Sequence, residues 1–232
     1  MEQPRVYYRR HLPHYQPSYG TFFVTFRLAG SLPGHVAGRM RREREEANRR
    51  FAGMNDVRRK HEEHRAYEKS CFEKFDALLD RDEVGPHWLG QPQIAQLLLE
   101  AIKYRHGKDY DLLACCIMPN HVHMLFTVGR DAIPASTDKQ ARSDCVGRIA
   151  NPTYKPLFRI LQSLKRHTAR EANKVLGRTG TFWQNESYDH VVRDDGELER
   201  LFWYVLLNPV KARLAESWIE WPWIWWKPEY VD

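Results

Sequence analysis

Two histidines separated by one residue are the side chains in this sequence best placed to bind a metal. His121 and His123 begin a stretch, residues 121–128, whose alternating pattern is typical of a β-strand. Side chains two positions apart on a strand face the same side of the sheet, so the two imidazoles project together. Neutral imidazole binds divalent metals, and its ordinary pKa of about 6.5 makes that form available at neutral pH. The pair is therefore either a two-ligand metal site or two histidines on a polar strand face.

The segments around this pair indicate an α+β fold. Residues 111–117 are an apolar run and residues 118–120 read MPN, which predicts strand, tight turn and strand. Such a hairpin requires antiparallel pairing, so we expect one antiparallel β-sheet backed by helices. Strands are predicted over residues 21–28, 111–117, 121–128 and 187–192, and helices over residues 91–105, 157–176 and 194–207, the last of them ended by Pro209.

The composition excludes several classes of protein. A chain of 232 residues with 42% hydrophobic and 12% aromatic residues is not disordered, and its length suits one large domain. A mean hydropathy of −0.67 and the lack of an apolar run of about 20 residues argue against an integral membrane protein. No secretory signal is visible, and the four cysteines form no disulfide framework, so a cytoplasmic location is expected. A net charge of +6 mildly favours a polyanionic partner.

Two segments differ in composition from the rest of the chain. Residues 35–90 read as a charged helical insertion, which is either an exposed, solvated helix or a helix that faces DNA. The C-terminal tail, residues 215–232, is rich in tryptophan. Its tryptophans either dock the tail onto the domain or stack on splayed bases.

Three separated motifs resemble one known family. Residues 118–126 read MPNHVHMLF and resemble the HUH motif of single-tyrosine transposases, most closely that of the REP-associated tyrosine transposases. Residues 182–190, FWQNESYDH, and residues 204–212, YVLLNPVKA, are similar to two further signatures of that family in the same order. A leader, residues 9–13, also matches. The resemblance covers most of the chain outside residues 35–90, and it implies a single domain over residues 1–232 with an HUH, ferredoxin-like sandwich.

The resemblance implies a role for one tyrosine and one asparagine. Tyr204 matches the family's nucleophile, and Asn208 matches the third metal ligand, which would join His121 and His123 around Mg²⁺ or Mn²⁺. A spacing of four on the predicted helix puts Tyr204 and Asn208 on one face. Taken without the family, Tyr204 could be a core aromatic residue and Asn208 the C-terminal cap of the helix before Pro209.

The activity implied by the resemblance is metal-dependent cleavage and rejoining of single-stranded DNA near hairpins, through a 5′-phosphotyrosine intermediate. The implied partner is single-stranded DNA with hairpin or palindromic elements, bound by a monomer or a homodimer close to the nucleoid. This chemistry is expected to need nothing from the insertion. Basic residues that would contact the DNA are Arg9, Arg10, His11, Lys165, Arg166, Arg170 and Arg178.

Two other functions remain open at this point. The protein could bind hairpin nucleic acid with a silent metal site. It could instead be a metal-dependent nuclease that uses water as the nucleophile, with Tyr204 as a bystander.

Overall fold

A five-stranded antiparallel sheet forms the centre of the molecule. The computed structural model describes residues 6–9, 13–16, 19–80, 85–129 and 155–231. The strands are β1 (Val6–Arg9), β2 (Pro13–Gln16), β3 (Gly20–Arg27), β4 (Asp111–Ile117), β5 (His121–Val128), β6 (Tyr188–Val191) and β7 (Ile224–Trp226). β1 and β2 pair with each other, and the other five strands are ordered β6-β3-β5-β4-β7 with every neighbouring pair antiparallel. The predicted hairpin is β4 and β5.

Three of the five α-helices in the described ranges lie where the apolar periodicity predicts them, and the first two lie in the charged region predicted to be a helical insertion. They are α1 (Gly34–Ala52), α2 (Val57–Asp80), α3 (Pro92–Lys103), α4 (Leu157–Val175) and α5 (Asp195–Lys211). The predicted α+β class, an antiparallel sheet backed by helices, is therefore confirmed. Within the described ranges, none of these helices combines the length and apolar content that crossing a lipid bilayer requires.

One predicted helix end is wrong. Helix α5 runs through Pro209 and ends at Lys211. Proline removes one backbone donor from the helical ladder, but the ladder resumes at once, because the Ala212 amide donates to the Asn208 carbonyl at 2.9 Å. As a result, Tyr204, Asn208 and Lys211 follow one another at spacings of four and three along one helix face.

The two faces of the sheet belong to two separate cores. The face covered by α3 and α4 carries the alternate side chains Phe22, Val24, Phe26, Val122, Met124 and Phe126. The opposite face carries Phe23 and Leu125, and it is covered by α5 together with Phe72 of α2. His123 lies opposite Thr25 and His121 lies opposite Arg27 in the pairing of β5 with β3. Both histidines therefore face α5 and α2.

The predicted insertion consists of the two helices α1 and α2. Its outward side chains pair within each helix at a spacing of four, as in Arg59 with Glu63 at 2.8 Å. Its inward side is narrow, and in α2 the buried residues are Phe72, Asp76 and Leu79. Both helices are solvated on their outer side, and α2 packs against the rest of the protein through Phe72, Asp76 and Leu79.

The tryptophan-rich tail docks onto the sheet. Strand β7 pairs with β4, and the Trp221 indole donates a hydrogen bond to the Ile117 carbonyl at 3.0 Å. The Trp218 and Trp226 rings meet edge to face, with centroids 4.9 Å apart. These contacts support the docking interpretation of the tail.

Two neighbouring leucines of α5 test how firmly this helix is fixed to the sheet. Leu206 is fully buried against the sheet, whereas Leu207 is 44% exposed. Leu206→Ala should lower the free energy of unfolding by about 2–4 kcal/mol, because it opens a cavity in the core. Leu207→Ala should cost less than about 1 kcal/mol. Urea unfolding of both variants measures the difference, and equal losses would contradict this packing of α5.

Candidate metal and nucleophile site

The two histidines converge on one point below α5. The Nε2 atoms of His121 and His123 lie 3.0 Å apart, and neither side chain is accessible to solvent beyond 1%. The outer nitrogens are both engaged: His121 Nδ1 lies 2.5 Å from Asn120 Oδ1, and His123 Nδ1 lies 2.8 Å from Thr25 Oγ1. Hydrogen bonds to the outer nitrogens fix the ring orientations and leave both Nε2 atoms directed inward, as in metal-binding histidines.

A carboxylate from the insertion faces the two imidazoles. Asp76 of α2 is fully buried, and its Oδ1 lies 3.2 Å from His123 Nε2. One donor atom from each of Asp76, His121 and His123 lies within 4.8 Å of the others. The chemistry was expected to need nothing from the insertion, but α2 places a buried acidic side chain beside both imidazoles.

Helix α5 brings the predicted tyrosine and asparagine to the same place. The Tyr204 phenol donates a hydrogen bond to Asp76 Oδ2, and its ring lies edge to face on the His123 ring at 5.6 Å. Asn208 is fully buried, and its two amide atoms have no hydrogen-bond partner among the described residues. The structure thus assembles Tyr204 with both histidines and adds Asp76, with Asn208 one helical turn away.

These donors fit a divalent metal ion. Asn208 Oδ1 is buried without a hydrogen-bond partner in the described part of the chain, and Asp76 Oδ1 is buried with His123 Nε2 3.2 Å away. Unpaired buried oxygens are costly, and an ion would satisfy them. Two imidazole nitrogens with a carboxylate and an amide oxygen form a donor set that divalent metals accept. Asp76, His121 and His123 are the group that could hold the ion.

Burial and charge shift the pKa values of the site in different directions. Burial lowers the pKa of His121 well below 6.5, and the neighbouring His123 adds to this shift. Burial raises the pKa of Asp76, but the hydrogen bonds from His123 and Lys211 outweigh it and hold that pKa well below its usual range. Burial raises the pKa of the Tyr204 phenol, as does the negative charge of Asp76. At neutral pH the site therefore holds a neutral His121, an ionised Asp76 and a protonated phenol.

Lysine and aspartate side chains extend the cluster toward solvent. Lys211 Nζ lies 2.6 Å from Asp76 Oδ2 and 3.1 Å from Asp80 Oδ2. Burial raises the pKa of Asp80, as does the charge of Asp76. Neither Lys211 nor Asp80 was singled out from the sequence.

Two of the basic residues predicted to contact DNA, Lys165 and Arg178, make contacts within the protein. Lys165 Nζ donates to the carbonyls of Gln184 and Asn185 at 2.5 and 3.1 Å, so its charge holds a loop of the protein. The Arg178 guanidinium stacks 3.8 Å above the Trp88 ring.

The contacts of the remaining basic candidates do not define a DNA-binding surface among the described residues. Arg170 pairs with its neighbour Glu171 at 2.7 Å, and Arg166 is exposed on α4. Arg9 ends β1, and Arg10 and His11 lie outside the described residues. DNA contact by this set stays a prediction.

One sequence signal could have revealed Asp76. Phe72, Asp76 and Leu79 occupy positions i, i+4 and i+7, which form the buried stripe of α2. An aspartate on the apolar stripe of a charged helix is unusual, because acidic side chains are almost never fully buried unless paired. The same helix carries several exposed acidic residues, so the sequence alone did not distinguish Asp76 from them.

The neutral, buried state of His121 predicts an acid-sensitive fold in the metal-free protein. An unfolded His121 takes up a proton below pH 6.5, which the folded state disfavours, so stability is complete above that pH and falls below it. In EDTA, the free energy of unfolding should fall by up to about 1.4 kcal/mol per pH unit between pH 6 and 5 from this residue. His121→Gln should flatten the slope, and His167→Gln, an exposed site on α4, should retain it. Identical slopes in the wild type and His121→Gln would contradict this assignment.

Comparison with known proteins supports the resemblance suggested by the motifs. No protein-family model matches the chain. A curated Haemophilus influenzae protein named "Putative REP-associated tyrosine transposase" is 29% identical over 113 residues, which cover 49% of this chain and 57% of that protein's own length. The chain is also similar to a solved structure of a REP-associated tyrosine transposase bound to a REP hairpin, with 16% identity, coverage of 97% of this chain and 82% of the other, and a TM-score of 0.44. The predicted resemblance to REP-associated tyrosine transposases is thereby confirmed.

Proposed function

We propose that this protein is a metal-dependent single-stranded DNA endonuclease and strand transferase of the REP-associated tyrosine transposase type. One observation carries the proposal: the Tyr204 phenol and the His121 and His123 imidazoles meet around the buried Asp76 carboxylate. A nucleophile beside a metal-binding group is the arrangement that metal-assisted phosphoryl transfer requires. The match to the relative covers only about half of this chain. The proposal of this activity is therefore based on the geometry of the site together with the motif resemblance.

The proposed substrate is single-stranded DNA that carries a hairpin. The family resemblance of the three motifs implies this choice, and the net charge of +6 suits a polyanionic partner. We further propose that the chain works as one catalytic domain, with α1 and α2 as an insertion that contributes Asp76.

The proposed metal ligands are His121, His123 and Asp76, with Asn208 as a further oxygen donor. The oxygen donors and the phosphodiester substrate favour Mg²⁺ or Mn²⁺. Such an ion, when bound, would supply Lewis-acid polarisation of the scissile phosphate. Thr25 and Asn120 hold the two imidazoles in the orientation that ligation needs.

Tyr204 is the proposed nucleophile. Its phenol oxygen attacks the phosphorus, the bond from phosphorus to the 3′ oxygen breaks, and the 3′ oxygen leaves as a hydroxyl after taking a proton. The phenol gives up its proton on attack, and in the resting site that proton points to Asp76 Oδ2. The product is a 5′-phosphotyrosine with a free 3′-OH. Because the new ester keeps the energy of the phosphodiester bond, a second 3′-OH can reverse the step and join strands.

Metal binding tests the ligand set without any DNA. By isothermal titration calorimetry with Mn²⁺, His123→Ala and Asp76→Asn should each weaken binding by more than about tenfold, because each removes a donor from the buried group. The control variant His167→Ala changes an exposed histidine on α4 and should bind like the wild type. Unchanged Mn²⁺ affinity in His123→Ala would exclude this metal centre.

A covalent adduct tests the nucleophile. The wild type, incubated with Mn²⁺ and hairpin-forming single-stranded oligonucleotides from the flanks of its gene, should gain the mass of a DNA fragment in intact-mass spectrometry. Tyr204→Phe should lose the adduct entirely and keep its fold, because it removes one hydroxyl. Tyr188→Phe is the matched control, since Tyr188 packs against the same Phe72 ring as Tyr204. Cleavage without an adduct would indicate the water-using nuclease, and binding alone would indicate the silent hairpin-binding protein.

A further inference from the structure

We propose that Lys211 is a further catalytic residue, whose ammonium group contacts a non-bridging oxygen of the scissile phosphate beside the Tyr204 phenol. This inference rests on the proposed strand-cleavage function. It extends that function to a residue outside the metal ligands and the nucleophile.

The position of Lys211 follows from the course of α5. The helix continues through Pro209, so Lys211 lies one turn beyond Asn208 and two turns beyond Tyr204 on the same face. A helix that ended at Pro209 would leave this lysine in a loop. The same helix face therefore carries the nucleophile, an oxygen donor and a cation.

The Lys211 ammonium and the Tyr204 phenol contact the same carboxylate oxygen. Lys211 Nζ is 2.6 Å from Asp76 Oδ2, the oxygen that accepts the hydrogen bond of the Tyr204 phenol. The same nitrogen is 5.3 Å from the centroid of the phenol ring. Attack by Tyr204 bonds the phosphorus to the phenol oxygen, which brings the non-bridging oxygens within reach of this ammonium.

Lys211 is also the charged group of the site that a substrate anion meets first. Its side chain is 48% exposed, whereas those of Asp76 and Asp80 are 0% and 11% exposed. The two carboxylates repel a phosphodiester, and a positive charge at the entrance offsets that repulsion. An ammonium has three N–H donors. Two of them are directed to Asp76 and Asp80, which leaves one for a phosphate oxygen.

Asp80 serves as a positioning residue in this arrangement. Its Oδ2 lies 3.1 Å from Lys211 Nζ, one turn of α2 after Asp76. It holds the flexible lysine side chain over the phenol without entering the group of metal donors. The rival explanation is that Lys211 only clasps α5 to α2 as an ion pair, and this predicts no effect on phosphate binding.

Inorganic phosphate is the probe that separates the two explanations. Its affinity for the Mn²⁺-loaded protein is measured from the broadening of its ³¹P resonance, for the wild type, Lys211→Ala and Lys211→Arg. Lys103→Ala, an exposed lysine on α3 across the sheet, is the charge-matched control. Lys211→Met, which keeps the alkyl stem, replaces Lys211→Ala if the shorter side chain unfolds the protein. Mn²⁺ affinity is measured in parallel for every variant.

Lys211→Ala should weaken phosphate binding by about tenfold, the loss expected for one hydrogen bond between charged groups. Lys211→Arg and Lys103→Ala should stay within about threefold of the wild type. Phosphate affinity is compared at saturating Mn²⁺ for each variant, because Lys211 also pairs with the proposed ligand Asp76. Unchanged phosphate affinity in Lys211→Ala would overturn the proposal. An equal loss in Lys211→Arg, or a wild type that binds no phosphate, would overturn it as well.

Failure of the proposed strand-cleavage function has a different signature. It appears as a missing DNA adduct while phosphate binding still depends on Lys211. If the wild type binds no Mn²⁺, the metal centre is wrong, and the same phosphate titration without metal still decides the role of Lys211.

Discussion

The buried carboxylate of Asp76 is the interaction on which the site depends. Its Oδ1 faces the His123 imidazole, and its Oδ2 accepts hydrogen bonds from Tyr204 and Lys211. A fully buried carboxylate without such partners would cost several kcal/mol, so each partner must keep its place. Three separate elements, α2, β5 and α5, are therefore held at one point. The proposed nucleophile and the proposed metal donors share one fixed geometry because they share this carboxylate.

The sheet supplies the rigid part of this arrangement. Both histidines project from β5, a strand paired along its length with β3 and β4, and their outer nitrogens are fixed by Thr25 and Asn120. The other face of the same strand is packed under α3 and α4. A site built on a central strand is more precise than one built on loops, which suits chemistry that depends on alignment with a phosphorus atom.

The helices divide the remaining tasks of the proposed reaction. Helix α5 carries the proposed nucleophile Tyr204 and the cation Lys211, and it can carry both on one face because it continues through Pro209. Helix α2 is solvated along most of its surface and contributes one buried stripe that includes Asp76. The charged helical insertion thus provides Asp76, the buried carboxylate that links Tyr204 of α5 to His123 of the sheet. The insertion and the sheet with α5 form one physical unit at this contact.

The sequence by itself determined the local features of the protein. Strand periodicity placed His121 and His123 on one face, and helical spacing placed Tyr204 and Asn208 on one face, because both depend only on backbone geometry. The sequence did not reveal Asp76, whose partner Tyr204 lies 128 residues away. It also did not reveal that α5 survives Pro209 or that Lys165 holds a loop, because packing and distant hydrogen-bond acceptors decide both. Spacing fixes which side chains share a face, and only tertiary packing decides what that face meets.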